Sequence, residues 1–192
     1  MKYIIREIKR DEYDVVRKLD RDTFGYNNPD DADLHENYAD KVRISSYFIP
    51  ELDLVAVTDE GFIIGHAIFS ALPMGDEGEH IIWLNSLAVK YDKSDNHEEK
   101  QYKYQRKGIG TAMVKHGVET AKILGYTGCI TCGNPALYQK KMGFKNYREL
   151  GIVKDESVED HESCVFAIEL VPGGFNGTNK VLSYLQGCTI PD

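Results

Sequence analysis

Residues 105–111 read Gln105-Arg106-Lys107-Gly108-Ile109-Gly110-Thr111. Two glycines one residue apart stand at the head of a segment in which Ala112, Met113, Val114, Val118, Ala121 and Leu124 recur at helical spacing. Without Cβ atoms the glycines let a bulky anion approach the backbone closely. The first turn of the helix adds N–H groups that lack an intrahelical acceptor, and about half a unit of positive charge. Arg106 and Lys107 bring mobile cations beside them. The combination predicts a pyrophosphate pocket. Two other phosphate loops do not fit. A dinucleotide fingerprint has a third glycine where this chain has Met113, and it follows an apolar strand directly, whereas the residues before Gln105 are polar. The Gly-Lys-Ser/Thr of a P-loop is absent.

Outward from this loop the chain alternates strands and helices. Upstream, residues 81–90 (IIWLNSLAVK) are apolar on both faces, as in a central strand. Residues 91–104, between that strand and Gln105, are polar and read as an exposed, mobile excursion. Earlier still, residues 52–58 and 62–70 flank Asp59-Glu60-Gly61, a hairpin. Residues 3–8 form a first strand. Asp11 opens a helix carrying Val15, Val16, Leu19 and Phe24, closed by Gly25. The pattern predicts a loop over 26–33, a second helix over 33–46 that stops before Pro50, and a polar turn over 73–80.

Downstream, Gly125 caps the helix after the glycine loop, and 126–132 is a short strand. Pro135 starts a further helix that ends at Gly143-Phe144, and 145–153 and 163–170 are two more strands. No repeat is visible. The order β-α-α-β-β-β-α-β-α-β-β predicts an α/β fold, with a single central mixed sheet and helices on both faces. Residues 1–170 form one domain, and 171–192, opening with Pro172-Gly173-Gly174, form a C-terminal extension packed on it.

The net charge of −8 argues against a nucleic-acid backbone as the main partner. No apolar run approaches the roughly eighteen residues of a membrane helix. MKYIIREIKRDEYD turns charged too soon for a signal peptide, so a cytoplasmic protein with no membrane partner is expected. The four cysteines are then reduced thiols. Cys129 and Cys132 spell C-x-x-C, but the only accompaniment is His161 and Cys164. In a strand, residues three apart point to opposite faces, so no metal site is expected.

Gln-x-x-Gly-x-Gly after a strand ending Leu87-Ala88-Val89 resembles the acetyl-CoA signature of the GNAT superfamily of N-acetyltransferases. Asn134-Pro135-Ala136-Leu137-Tyr138, closing at Gly143-Phe144, resembles that superfamily's second landmark. FIPELDLVAV (48–57), IIGHAIFS (63–70) and ELVPGGFNG (169–177) are similar to the YhbS-like branch of predicted bacterial acetyltransferases. The resemblance implies an acyl-CoA N-acyltransferase fold using acetyl-CoA and no metal. It implies that Leu87, Ala88 and Val89 pair by their backbone with the pantetheine arm in a splayed sheet. It places the pyrophosphate on the N–H groups of Arg106, Lys107, Gly108, Ile109, Gly110 and Thr111, with Gln105 opening the loop. Asn134 would contact the pantetheine as well as cap the helix. Tyr138 would protonate the departing thiolate. One departure is that Gly143 follows Tyr138 by five residues where the family usually has four, and one helical residue is worth about 100° of rotation.

The implied reaction is direct acetyl transfer to an amine, on a small molecule or a peptide. A lysine-like amine must first lose a proton, at about 4 kcal/mol near pH 7.4, whereas an α-amino group costs under about 1 kcal/mol. The strand before the signature offers Trp83, Asn85 and Ser86 but no carboxylate. Glu36, Glu51 and His66 remain candidates for the base. Strand N–H groups near Leu87 would meet the developing oxyanion. A homodimer fits the family's habits. A non-catalytic acyl-CoA-binding or sensing module of the same fold is the competing reading.

Overall fold

The computed structural model describes residues 1–26, 29–72, 74, 80–96, 98–99, 101–154, 164–176 and 181–182. Seven strands form one mixed sheet: β1 (Tyr3–Glu7), β2 (Phe48–Thr58), β3 (Ile63–Leu72), β4 (Ile81–Val89), β5 (Gly128–Cys132), β6 (Lys145–Asn146) and β8 (Val165–Glu169). Their spatial order is β1-β2-β3-β4-β5-β8-β6. Every pairing in it is antiparallel except β4 with β5. Parallel neighbours need a crossover, and α4 (Ile109–Ile123) supplies it. A separate ribbon joins β7 (Val153–Lys154) to β9 (Val181–Leu182).

Two apolar layers cover the sheet. On one face α1 (Tyr13–Gly25) presses Val16 and Leu19 onto Val55, Val57, Ile63 and Ala88, and α3 (Tyr38–Ile44) presses Ala39 and Val42 onto Ile68. On the other, Ile109, Met113, Val114 and Ala121 of α4 and Tyr138 of α5 (Pro135–Met142) pack on Leu54, Ala56, Phe69, Ile82 and Leu84. Helices on both faces of a single mixed sheet are the architecture expected from the element order.

Five expectations need correction. The helix expected over 33–46 is two helices, α2 (Pro29–Glu36) and α3, broken at Asn37. Pro29 sits in the first turn, where a missing N–H costs nothing, so the helix begins inside the stretch expected to be a loop. The helix does stop before Pro50, but the strand expected over 52–58 starts at Phe48, with Pro50 in the irregular pairing between Phe48 and Asp53, where the ladder does not need its N–H. The strand expected over 145–153 is only β6. Asn146 and Glu149 then form a reciprocal capping box that turns Tyr147–Leu150 into a 3-10 helix before β7. Just past the end of α4, Leu124 is exposed; the buried stripe keeps the expected Met113, Val114 and Ala121 and adds Ile109, Gly110 and Gly117.

The excursion 91–104 is folded on itself. Asn96 and Gln101 exchange backbone hydrogen bonds of 2.8 and 2.9 Å. The carboxylate of Asp92 accepts from Ser94 and Lys103, and that of Asp95 from the Lys103 N–H. In the extension, Phe175 is fully buried, and the Thr127 hydroxyl donates to the Gly174 carbonyl at 2.6 Å. Most of the expected 73–80 turn, and nearly all residues beyond 176, lie outside the described residues. Among the described residues no helix is long and apolar enough to cross a membrane.

Candidate active site

The sheet opens between β4 and β5. β4 pairs with β3 along its whole length, from Leu72↔Ile81 to Gly65↔Val89. With β5 it pairs only from Ile81↔Gly128 to Leu84↔Thr131. Leu87, Ala88 and Val89 lie past that last rung. The cause is local. Ile68 pairs with Ser86 but Phe69 pairs with Leu84, so β4 carries one extra residue, Asn85. Leu84 and Leu87 both pack on the α4 side, with two residues between them where a regular strand has one. Such a bulge bends and twists its strand. β5 itself ends at Cys132, one residue past the last rung, so Leu87, Ala88 and Val89 run on beyond it. At the fork the Thr131 hydroxyl donates to the Leu84 carbonyl at 3.2 Å.

The glycine loop stands at the mouth of this fork. The Gln105 side-chain amide donates to the Val89 carbonyl at 3.0 Å and ties the loop to the end of β4. Arg106 has φ +57° and Gly108 φ +84°, so left-handed residues alternate with ordinary ones and the backbone is concave. The first bond of α4 runs from the Ala112 N–H to the Gly108 carbonyl at 2.9 Å. The N–H groups of Ile109, Gly110 and Thr111 therefore precede the helical ladder. A Cβ on Gly108 would meet nothing within 4 Å, so that glycine borders open space. A Cβ on Gly110 would lie 3.5 Å from the side chains of Leu87 and Val89, so that glycine faces the sheet. Arg106 and Lys107 are exposed and Ile109 is buried. A concave backbone, N–H groups with no partner among the described residues and two exposed cations suit a diphosphate.

Across the opening, Asn134 caps α5, its Oδ1 accepting from the Ala136 N–H at 2.8 Å. Tyr138 is only 5% exposed, stacked on Phe166 and edge-on to Phe144. The N–H groups of both Gly143 and Phe144 turn back to the Tyr138 carbonyl. The extra residue before Gly143 is thus taken up after Tyr138, in a widened last turn. Burial pushes the Tyr138 phenol up to about 12, opposed by its hydrogen bond with Thr131. Tyr138, Thr131 and Leu84 therefore form a polar chain ending at the fork.

Cys129 is buried and Cys132 exposed, on opposite faces of β5. Burial raises the Cys129 thiol. Among the described residues no group of three or more His, Cys, Asp or Glu could hold a metal ion.

The candidate bases fare unequally. Glu36 accepts from Arg21 at 2.8 Å, and Glu51 is exposed on β2. His66 is wholly buried, its Nδ1 donating to Asp20 at 2.8 Å and its Nε2 to Asp53 at 3.0 Å. Asp53 also accepts from Arg43 at 2.7 Å, and Arg43 reaches Asp40. Burial pulls the imidazolium down, but the two carboxylates outweigh it and hold its pKa at about 9. A sealed imidazolium with both nitrogens committed cannot take a proton from an amine. Residue pattern also missed Tyr38, whose hydroxyl donates to Asn85 at 3.3 Å.

A family model described as the acetyltransferase (GNAT) family matches residues 13–144. The chain belongs to the GNAT family. This GNAT protein is 33% identical over 94 residues to the uncharacterized N-acetyltransferase YhbS of Escherichia coli (strain K12), a stretch that is 49% of each chain. The match thus spans about half the length of the curated relatives. The crystal structure of E. coli YhbS in complex with CoA superposes with TM-score 0.77 at 23% identity, covering 96% of this chain and 90% of that one. A GNAT acetyltransferase from Brucella melitensis, in complex with acetyl-CoA, gives 0.66 at 20% identity over 89% and 90%. At these identities the likeness is one of fold.

Proposed function

We propose that this GNAT protein transfers the acetyl group of acetyl-CoA to a primary amine on a small molecule or peptide. The observation that carries the reading is the end of β4–β5 pairing at Leu84↔Thr131, beside a glycine loop whose N–H groups at 109–111 precede the helical ladder. The CoA and acetyl-CoA complexes of the two similar folds point the same way. Bound here, acetyl-CoA would supply an acetyl group activated as a thioester. The N–H groups of residues 106–111 would hold its diphosphate, with Arg106 and Lys107 adding charge-assisted bonds. The free backbone edge at Leu87, Ala88 and Val89 would take the amides of its arm as an added strand, with Asn134 on the opposite wall. An N–H near Leu87 would stabilise the charge developing on the thioester oxygen.

Tyr138 is the candidate proton donor to the departing sulfur. A phenol at about 12 keeps its proton throughout the physiological range. Handing it to a thiolate of ordinary pKa is uphill by about 5 kcal/mol, so the donation has to be concerted with bond breaking or aided by the cofactor's own charge. No side chain is assigned as base. An α-amino acceptor, which needs little help to lose its proton, is therefore favoured over a lysine-like one.

The second reading, an acyl-CoA-binding module without turnover, draws on the sealed His66 and on β4's lack of a carboxylate. Release of CoA thiol on incubation with acetyl-CoA and a panel of amines separates the two. Amine-dependent release supports transfer; CoA binding with no release under any amine overturns it.

A further inference from the structure

The side chain of Asn85, the extra residue in β4, bonds to three elements at once. Its Nδ2 donates to the Ser70 hydroxyl on β3 at 2.9 Å and to the Trp83 carbonyl of its own strand at 3.2 Å. Its Oδ1 accepts from the Tyr38 hydroxyl on α3 at 3.3 Å. This is an unusual use of one amide. A bulge interrupts a ladder, and β4 could regain regular pairing by slipping one residue. Such a slip would turn the residues after Leu84 to the opposite face. In the bulged register Asn85 makes all three of these bonds. Next to it Ser86 is 6% exposed, and its hydroxyl is buried without a partner among the described residues. An orphan polar group of that kind opposes a regular, fully packed strand at this point and leaves a hydrogen-bonding site beside the fork.

We infer that Asn85 is a positioning residue: clasped by Ser70 and Tyr38, it fixes the bulge that keeps β4 apart from β5, and so couples the seating of α3 to the width of the cofactor slot. The inference deepens the proposed function and rests on it. Asn85 touches neither reacting group. It acts through the backbone of Leu87, Ala88 and Val89, whose groups on the β5 side must stay unpaired to receive the cofactor arm. Tyr38 belongs to a helix on the opposite face from the glycine loop, so a shift of α3 would be felt in the slot through this contact. Thr131, bonded to Leu84, fastens the fork from its other side.

The test uses the full chain and two variants. Asn85→Leu removes all three bonds at similar size. Tyr38→Phe removes one hydroxyl, and keeps the proposal testable should Asn85→Leu fold poorly. CoA affinity is measured by calorimetry, and hydrogen exchange is followed at the amides of Leu87, Ala88 and Val89. Asn85→Leu is expected to weaken CoA about tenfold and to slow exchange at residues 87–89, as the slot closes and their N–H groups find partners. Tyr38→Phe is expected to weaken CoA about threefold, the loss of one modest hydrogen bond. Lower thermal stability with unchanged CoA affinity and unchanged exchange would overturn the clasp and leave Asn85 a merely structural residue. These readouts need no turnover. A wild-type protein that binds CoA yet acetylates no amine sinks the proposed reaction, while the affinity series still judges the clasp.

Discussion

The Nδ1 of His66 stands 2.8 Å from Oδ2 of Asp20, in a pocket that admits no solvent to the ring. Asp53 on the ring's other side and Arg43 beyond it extend the pair into a buried run of alternating charge. The run ties α1, α3, β2 and β3 together beneath the helices of one face. Because the folded pKa of His66, about 9, lies above the unfolded value of 6.5, folding takes up a proton. The associated stability is complete below about pH 6.5, falls between there and 9, and is absent above, an amount of about 3 kcal/mol. The urea midpoint should therefore decline from pH 6.5 to 9.5. In His66→Gln it should be lower at pH 6, since Asp20 loses its counter-charge and Asp53 keeps only Arg43, and flat across that interval. A wild-type midpoint constant over that range refutes the protonated imidazole.

The two glycines of the loop should answer differently to a side chain. At Gly108 a side chain projects into the open space where the diphosphate would lie, and φ of +84° adds strain of about 1–2 kcal/mol. Gly108→Val should abolish measurable CoA binding by calorimetry, with a modest drop in melting temperature. At Gly110 a methyl group points at Leu87 and Val89 in ordinary contact. Gly110→Ala should fold normally and bind CoA within about threefold of wild type, because it leaves the N–H face clear. Equal effects at the two positions would mean the diphosphate sits elsewhere.

Tyr138→Phe separates proton donation from packing. The ring's contacts with Phe144 and Phe166 survive the change, and only the link to Thr131 is lost. Turnover with a reactive amine should slow about tenfold or more while CoA affinity stays near normal. A wild-type rate assigns Tyr138 to the core alone.

The seat of α4 is tight at one point. A Cβ on Gly117 would lie 2.4 Å from the Phe69 ring. Alanine there improves helix propensity by about 1 kcal/mol, but the clash should outweigh it, for a net loss of about 1–3 kcal/mol in urea unfolding. A stabilised Gly117→Ala would show that α4 can lift from the sheet more freely than its packing indicates.

Local chemistry explains what residue pattern could and could not reveal. Gln105 through Gly110 were legible because a helix start and a left-handed turn each need particular residues at the position itself. The Gly61 hairpin and the Asn134-Pro135 cap were legible for the same reason. The bulge also left a trace: two polar residues, Asn85 and Ser86, stand between Leu84 and Leu87 where one would preserve alternation. That signal fits a surface excursion of a strand equally well, so only the pairing register resolves it. The His66 run left none. Its carboxylates lie 46 and 13 residues away, and no local preference brings them together. The break at Asn37 was hidden because residues 33–46 suit one helix as well as two, and packing of α3 on Ile68 made the choice.

Because Gln105 fastens to the residue that ends β4, the polypeptide between them departs and returns at a single spot. Lengthening a loop whose ends already meet carries only a slow, logarithmic entropy penalty. Kindred proteins are thus free to trim this ornament to a short bridge or swell it into an inserted module, and an engineer could graft a reporter there, while the architecture on either side stays as it is.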